Sequence, residues 1–324
     1  MKTTMMILKM TKMNQAPTKT NQKTFFYFLT CALIWGLTWI SIKYQIPYAD
    51  GSVAVFYRFV FASLIMLVVC LATKSNLNYT PKIHVRFLLQ GLFMFSCNFL
   101  LTYWASSMAS SALIALTYTT LIFFNMFGAF VFFNTPFEKK VVIGALVSFL
   151  GMGLIAFNEY NQRGLHPLSL IGIFISMFGV ISASSGNLLS ASIRKQQIPI
   201  LASNGWSMFY GALVTGLFCL ISQKSFAVNI NQEFILSFIY LSVFGTVISF
   251  WSYIKLIENI GPTKAAFTSV VSPIIALVVS TFFENFHWTM FLFVGSALCI
   301  IGNIMALVPL QPLKNSFSAL SKKN

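Results

Sequence analysis

The sequence predicts an all-α polytopic membrane protein, with ten transmembrane helices arranged as two inverted five-helix repeats. Three observations carry this. The 324 residues are 57% hydrophobic and only 8% charged, with a mean hydropathy of +0.79. A soluble domain has about 25% charged residues, so these are too few to cover a surface facing water. Second, the basic residues collect in alternate gaps between apolar runs. Third, Gly144 and Gly151 recur as Gly295 and Gly302 at an offset of 151 residues, each pair in the last apolar run of a set of five. Five is odd, so the second set enters the bilayer upside down. Inverted repeats are the usual architecture of alternating-access transporters, with the substrate site between the halves.

A spanning helix needs about 20 mostly apolar residues. In chain order the runs are 25–43, 52–73, 86–105, 111–133, 140–157, 168–190, 203–222, 234–253, 264–283 and 288–308. Gly, Pro, Asn and charged residues fall mainly in the gaps: Asp50-Gly51 after the first, Pro81-Lys82 before the third, Asn134 and Lys139-Lys140 around the fifth entry, Arg194-Lys195 after the sixth. The runs are continuous rather than alternating, which excludes a β-barrel. The chain therefore divides into a disordered cytoplasmic tail at 1–24, a first repeat at 25–157, a second at 168–308 and a cytoplasmic tail at 309–324.

A net charge of +15 suits nucleic acid as a partner, but its placement points to membrane insertion instead. With the N-terminus inside, 17 Lys and Arg fall in cytoplasmic segments and only Lys43, Arg163 and Lys224 outside. That bias places both termini in the cytoplasm and leaves the basic balance to an anionic leaflet. The Lys-, Asn-, Ile- and Phe-rich composition suggests an AT-rich bacterial genome, and the bacterial inner membrane is the expected location. The partners expected are the lipid bilayer and a small-molecule substrate. The five cysteines all lie in spans, so neither a disulfide framework nor a metal site is expected. No P-loop or hydrolase motif is present, and no cofactor or catalytic residue is expected.

The stretch from Trp251 to Ala266, with Glu258-Asn259-Ile260-Gly261-Pro262 at its turn, resembles the eighth helix, turn and ninth-helix entry of the drug/metabolite transporter superfamily, EamA-like family. Pro273 and Glu284 resemble that family's ninth-helix proline and closing glutamate. Trp35-Gly36 and Tyr57-Arg58-Phe59 resemble its first- and second-helix landmarks. Three positions depart: Leu121 stands where the first half often has Pro, Asn134 where it often has Glu, and Ser272 rather than an acid precedes Pro273. The resemblance covers about residues 25–308. It implies transport of a small organic metabolite (an amino acid, purine or related solute), by export or exchange through alternating access. An uptake exchanger of host metabolites in an intracellular bacterium is the alternative. A membrane-embedded enzyme or a passive channel ranks below both.

Candidate cavity residues are polar or aromatic groups within spans: Trp35, Asn98, Thr102, Thr119, Asn187, Tyr210, Ser269 and Ser272, with Thr246 at similar depth. Aromatics and neutral hydrogen-bonding groups suit a small, partly apolar solute, while each one singly suits an interhelical contact. Arg58 is the basic residue well inside a span, and a buried Arg faces a cavity or a partner. It is an anchor for a carboxylate or phosphate, a structural Arg bonded to carbonyls of neighbouring helices, or an Arg that snorkels outward. The family resemblance, with Arg here across differing substrates, favours the structural role. Gly172, Ser176, Gly179, Ala183 and Gly186 form a stripe of small residues, either for close packing or for a sliding helix. Gly144, Gly151, Gly295 and Gly302 suit packing within the protomer or a homodimer face. All six acids fall at span ends or in loops, so facilitated diffusion or exchange is expected, without a midplane proton relay. Glu258 and Glu284 remain candidates for gating.

Overall fold

The computed structural model of the chain describes residues 19–134, 136, 139–162, 167–260, 265, 267–284 and 288–307. The tail at 309–324, and 1–18 of the first tail, lie outside them, as does the Gly261-Pro262 turn. Every regular element among the described residues is helical. In lipid a helix is the form that satisfies its own backbone donors and acceptors. The helical segments are α1 (Lys19–Gln45), α2 (Gly51–Ala72), α3 (Pro81–Met108), α4 (Ser111–Phe133), α5 (Lys139–Gln162), α6 (Pro167–Arg194), α7 (Ile200–Ile221), α8 (232–260), α9 (Thr268–Phe283) and α10 (Met290–Leu307). Seven of them, α1 to α4 and α6 to α8, contain stretches long and apolar enough to cross a membrane. Shorter apolar helices form at Thr268–Phe283 and Met290–Ala306.

Helix starts follow local chemistry. The Asp50 side chain accepts from the Ser52 amide at the head of α2, and Asn231 accepts from Phe234 at the head of α8. These caps satisfy N–H groups that the helix leaves open. Pro81 opens α3 at a position where no donor is lost. That start is earlier than the 86 read from hydropathy, because the first turn is polar and lies beyond the apolar stretch. Asn134 ends α4 in a left-handed conformation, φ 52°. Asn tolerates this better than most residues, which accounts for its place at the expected Glu position.

Three helices are irregular at their centres. α3 is π-helical over Gly91–Cys97 and α8 over Tyr240–Ile248, corresponding positions in the two halves. π segments inside α-helices cluster at functional sites. α4 tightens to a 3-10 turn at Tyr118–Thr120, just before Leu121. Its counterpart α9 carries Pro273 there. The first half thus breaks its helix without the proline.

The packing repeats between halves. α5 pairs with α10 and α2 with α7; α3 packs on α6 and α7, and α8 packs on α1 and α2. α4 packs on α6 as α9 does on α1. Moving each helix five places along the chain maps one set of contacts onto the other. The α5–α10 seam is the tightest. A Cβ on Gly151 would stand 2.5 Å from the Gly295 carbonyl oxygen, and Gly144 faces Gly302 in the same way. Those pairings make the two helices antiparallel and place the four glycines in contact within one chain. Ser148 Oγ donates to the Cys299 carbonyl at 3.1 Å and Asn303 Nδ2 to the same oxygen at 2.8 Å. Outward, large apolar residues such as Leu150, Phe174, Phe178 and Leu217 are exposed, which suits lipid rather than water.

The small-residue stripe of α6 turns toward α3 and α4. Gly172 lies against Ala105 and Met108, Gly179 against the Tyr118 hydroxyl, Gly186 against Met94. Ser176 bonds Thr117. Gly36 lets α1 approach α9, since a Cβ there would meet Ile275 at 2.5 Å and the Ser272 carbonyl at 3.2 Å. The Trp-Gly pair thus combines a wall residue with a close crossing.

Candidate functional site

α1, α2, α3, α4, α6, α8 and α9 converge on a central cavity of about 220 Å³. Both π segments and Pro273 border it, through Met94, Phe95, Gly245 and Pro273 itself. Irregular backbone at membrane depth is tolerated where it faces protein or a cavity.

Of the residues anticipated from sequence, Trp35, Arg58, Asn98, Thr102, Asn187, Ser269 and Ser272 line this cavity. Thr119 and Tyr210 do not. Thr119 lies within the 3-10 turn, which rotates it away, and its hydroxyl donates to the Leu116 carbonyl at 2.7 Å. Tyr210 lies near the head of α3, bonded to His84 Nδ1 at 3.0 Å and stacked near Trp206. Apolar depth alone could not separate these from true wall residues, because helix rotation decides the direction of a side chain.

The sequence reading missed Trp39, Tyr118, Phe95, Phe99 and Phe250 as wall residues. One signal was available: Trp35/Trp39 and Phe95/Phe99 are both one turn apart, sharing a face. Trp39 lies 4.8 Å from Tyr118 between ring centres, and Trp35 6.0 Å from Phe250. The Tyr118 hydroxyl joins Asn98 Oδ1 and, at 2.6 Å, Thr102 Oγ1. Asn187 Nδ2 donates to Asn125 Oδ1 at 3.4 Å. The polar groups around the cavity thus hold one another in place.

Arg58 is 1% exposed. Its Nε and Nη2 donate to Thr246 Oγ1 at 3.3 and 3.2 Å, and Nη1 has no hydrogen-bond partner. The guanidinium carbon sits 4.6 Å from the Phe99 ring centre and 5.4 Å from that of Phe59. None of these bonds runs to a backbone carbonyl, so the carbonyl-bonded structural Arg considered from sequence is not what the fold builds.

Side-chain contacts cross-link the helices at one end of the bundle. Glu284, closing α9, accepts from the Ser111 amide at 3.1 Å and bonds the Ser111 and Ser280 hydroxyls. Lys43 Nζ of α1 lies 3.4 Å from the same carboxylate. Tyr103 donates to Gln45 Oε1 at 2.7 Å, joining α3 to α1. At this end Lys224 Nζ stands 2.9 Å from Asp50. Partial burial pushes the Asp50 carboxyl up, but Ser52 and Lys224 outweigh it and hold it below the ordinary carboxylate value. A wider recess of about 660 Å³ opens beside Asp50, Trp104 and Lys224. Its charges are already paired with each other, and none of the anticipated site residues lines it. At the opposite end α9 keeps most of its contact with α4 to Ser111–Thr120, leaving Leu121–Phe133 apart. The side chain of Glu258 lies outside the described residues. Among those described, no group of three or more His, Cys, Asp or Glu could hold a metal.

A polytopic bundle of helices from two similar halves, enclosing a small aromatic and polar cavity, defines the class of membrane carriers. The chain belongs to the EamA-like transporter family, whose model matches residues 22–157 and again 170–308. It is therefore a multi-pass membrane transporter and not an enzyme. It is 24% identical over 265 residues to an uncharacterized transporter encoded in the trpA 3' region of Buchnera aphidicola subsp. Schlechtendalia chinensis, covering 81% of this chain and 84% of the relative. It is 24% identical to the uncharacterized transporter YvbV of Bacillus subtilis (strain 168), covering 89% and 92%. Protein PecM of Dickeya dadantii (strain 3937) is 20% identical, with 87% and 92% covered. A solved structure described as "Crystal structure of protein" shares the fold, with TM-score 0.63 at 16% identity over 94% of this chain and 99% of that one.

Proposed function

We propose that the chain carries a small organic metabolite across the bacterial inner membrane by alternating access, outward or in exchange, through ten spans in two inverted repeats with both termini in the cytoplasm. The observation that carries this reading is the central cavity: both family-matched halves contribute to it, and one end is cross-linked by Glu284, Ser111 and Lys43. The antiparallel glycine contacts of α5 and α10 support inversion. Each helix of the first repeat would then run against its counterpart in the second.

The cross-linked end is the one bearing Lys43 and Lys224, the sparsely basic side, which the charge bias makes external. The state described is then closed outward. Export begins when solute enters from the cytoplasmic end. It proceeds when the α4–α9 crossing at Glu284 parts and the crossing at the other end closes. The α5–α10 seam, tight along both glycine pairs, serves as the static support. Among the described residues no carboxylate lines the cavity, which favours facilitated diffusion or exchange over a proton relay.

The test is counterflow in proteoliposomes loaded with a metabolite panel. Saturable uptake stimulated by internal solute is expected for at least one member. Flux that rises linearly with concentration, without stimulation, overturns the carrier reading in favour of a channel. Flux that disappears when an imposed pH gradient is removed, with the solute gradient kept, overturns the uncoupled mode.

A further inference from the structure

From the charge arrangement in the cavity we infer that the transported solute is a small monocarboxylate anion with an aromatic or branched apolar body, its carboxylate held by Arg58. This rests on the carrier reading above and narrows it.

Arg58 is fully buried and permanently charged, since guanidinium does not lose its proton in proteins. Such a cation inside a membrane pairs with an anion or faces a cavity. Among the described residues no carboxylate reaches it. Asp50 is joined to Lys224, Glu233 to the Tyr48 hydroxyl, and Glu284 to Ser111 and Lys43. Arg58 bonds the Thr246 hydroxyl through Nε and Nη2, and the Tyr103 hydroxyl is a further neutral neighbour. Nη1 is buried with no hydrogen-bond partner, in a residue that lines the cavity. A buried charged donor without an acceptor is costly. A carboxylate supplies that acceptor in the planar geometry that guanidinium matches best.

The rest of the wall sets the body and the net charge of the solute. Trp35, Trp39, Phe95, Phe99, Tyr118 and Phe250 offer apolar ring surface. Among the described residues the remaining polar wall groups are neutral hydroxyls and amides, with no acid to balance a substrate ammonium. A singly negative solute neutralises the site, whereas a zwitterion leaves the guanidinium charge unbalanced. The volume of about 220 Å³ lies below the roughly 300–1,000 Å³ of sites for drug-sized ligands. That limits the body to about one ring or a short branched chain.

The test is calorimetric titration of the purified full-length protein with matched sets: 4-methylpentanoate, 3-phenylpropionate and indole-3-acetate, each beside its amide, and leucine, phenylalanine and tryptophan as zwitterions. At neutral pH at least one carboxylate should bind tenfold or more tightly than its amide and its amino acid. Amides or amino acids binding as well as the acids, or no carboxylate binding, overturns the inference. The carrier reading survives that result if a neutral or zwitterionic solute still shows saturable counterflow, and fails with it if none does. In Arg58→Gln the preference for acid over amide should vanish. A folded Arg58→Gln that keeps the preference overturns the assignment to Arg58. Should that variant not fold, the wild-type comparison of acid with amide decides alone.

Discussion

The α5–α10 seam and the central cavity are built from overlapping residue types, Gly, Ser, Thr and Asn, to opposite ends. In the seam, glycines bring backbones into contact, and Ser148 closes its bond on the Cys299 carbonyl across it. Around the cavity the same small and polar residues stop short of filling the space, and one guanidinium is left with a donor to offer. Whether a small residue marks rigidity or a binding space is decided by what stands opposite. A glycine facing a glycine across antiparallel helices leaves no room. A small residue such as Ala183, lining a cavity shared with Trp and Phe rings, leaves a void.

The comparison can be broken most severely at the seam. Gly302→Leu places a side chain against Ser148 and the Gly144 carbonyl, where relief requires the backbones to separate. Overpacking of this kind costs about 3 kcal/mol or more. Loss of monodisperse protein on size exclusion is expected, whereas Gly153→Leu, with nothing within 4 Å of its Cβ, should elute and melt like wild type. Equal behaviour of the two would remove the seam's special status.

Next is the tie at the closed end. Glu284→Ala removes an acceptor for the Ser111 amide and the partner of Lys43. Such a buried, charge-assisted contact is worth about 1.5–3 kcal/mol, so a lower melting temperature is expected. Cysteine labelling near Ser111 from the outside should also rise. Unchanged labelling would show that other contacts hold that end closed.

A gentler probe fills the void. Ala183→Leu projects into the cavity and should leave thermal stability near wild type while weakening solute binding tenfold or more, about 1.4 kcal/mol. A loss of stability comparable to that of Gly302→Leu would mean that the cavity wall is as tightly packed as the seam.

The smallest effect concerns Asp50 and Lys224, both partly exposed. The Asp50 carboxyl is held below its ordinary value by Ser52 and Lys224. Its contribution is therefore present above the unfolded-state value, about 3.9, and is lost as pH falls through the lower folded value. Exposed pairs contribute about 0–1 kcal/mol. Melting of wild type and Asp50→Asn should differ slightly at neutral pH and converge in acid. A gap that widens in acid would contradict the assignment.

Sequence alone determined the membrane class, the charge sorting of the loops and the doubled pattern. Each follows from local physics: apolar run length against bilayer thickness, the cost of moving charge, and a repeat offset visible in the glycines. It also marked Arg58 and most of the polar cavity wall, because polar groups inside apolar runs stand out. It could not place Thr119 and Tyr210 correctly, since a 3-10 turn and helix rotation set their direction. Nor could it find Trp39, Tyr118 or the Phe95–Phe99 face, because an aromatic in a span looks the same whether it meets lipid, core or cavity. The tertiary structure decided that the glycine pairs meet each other and that Glu284 reaches back to the head of α4. It also decided that Arg58 has Thr246 as its bonded partner. Those facts depend on residues more than a hundred positions apart being brought within a few ångströms, and no local pattern in the chain encodes that distance.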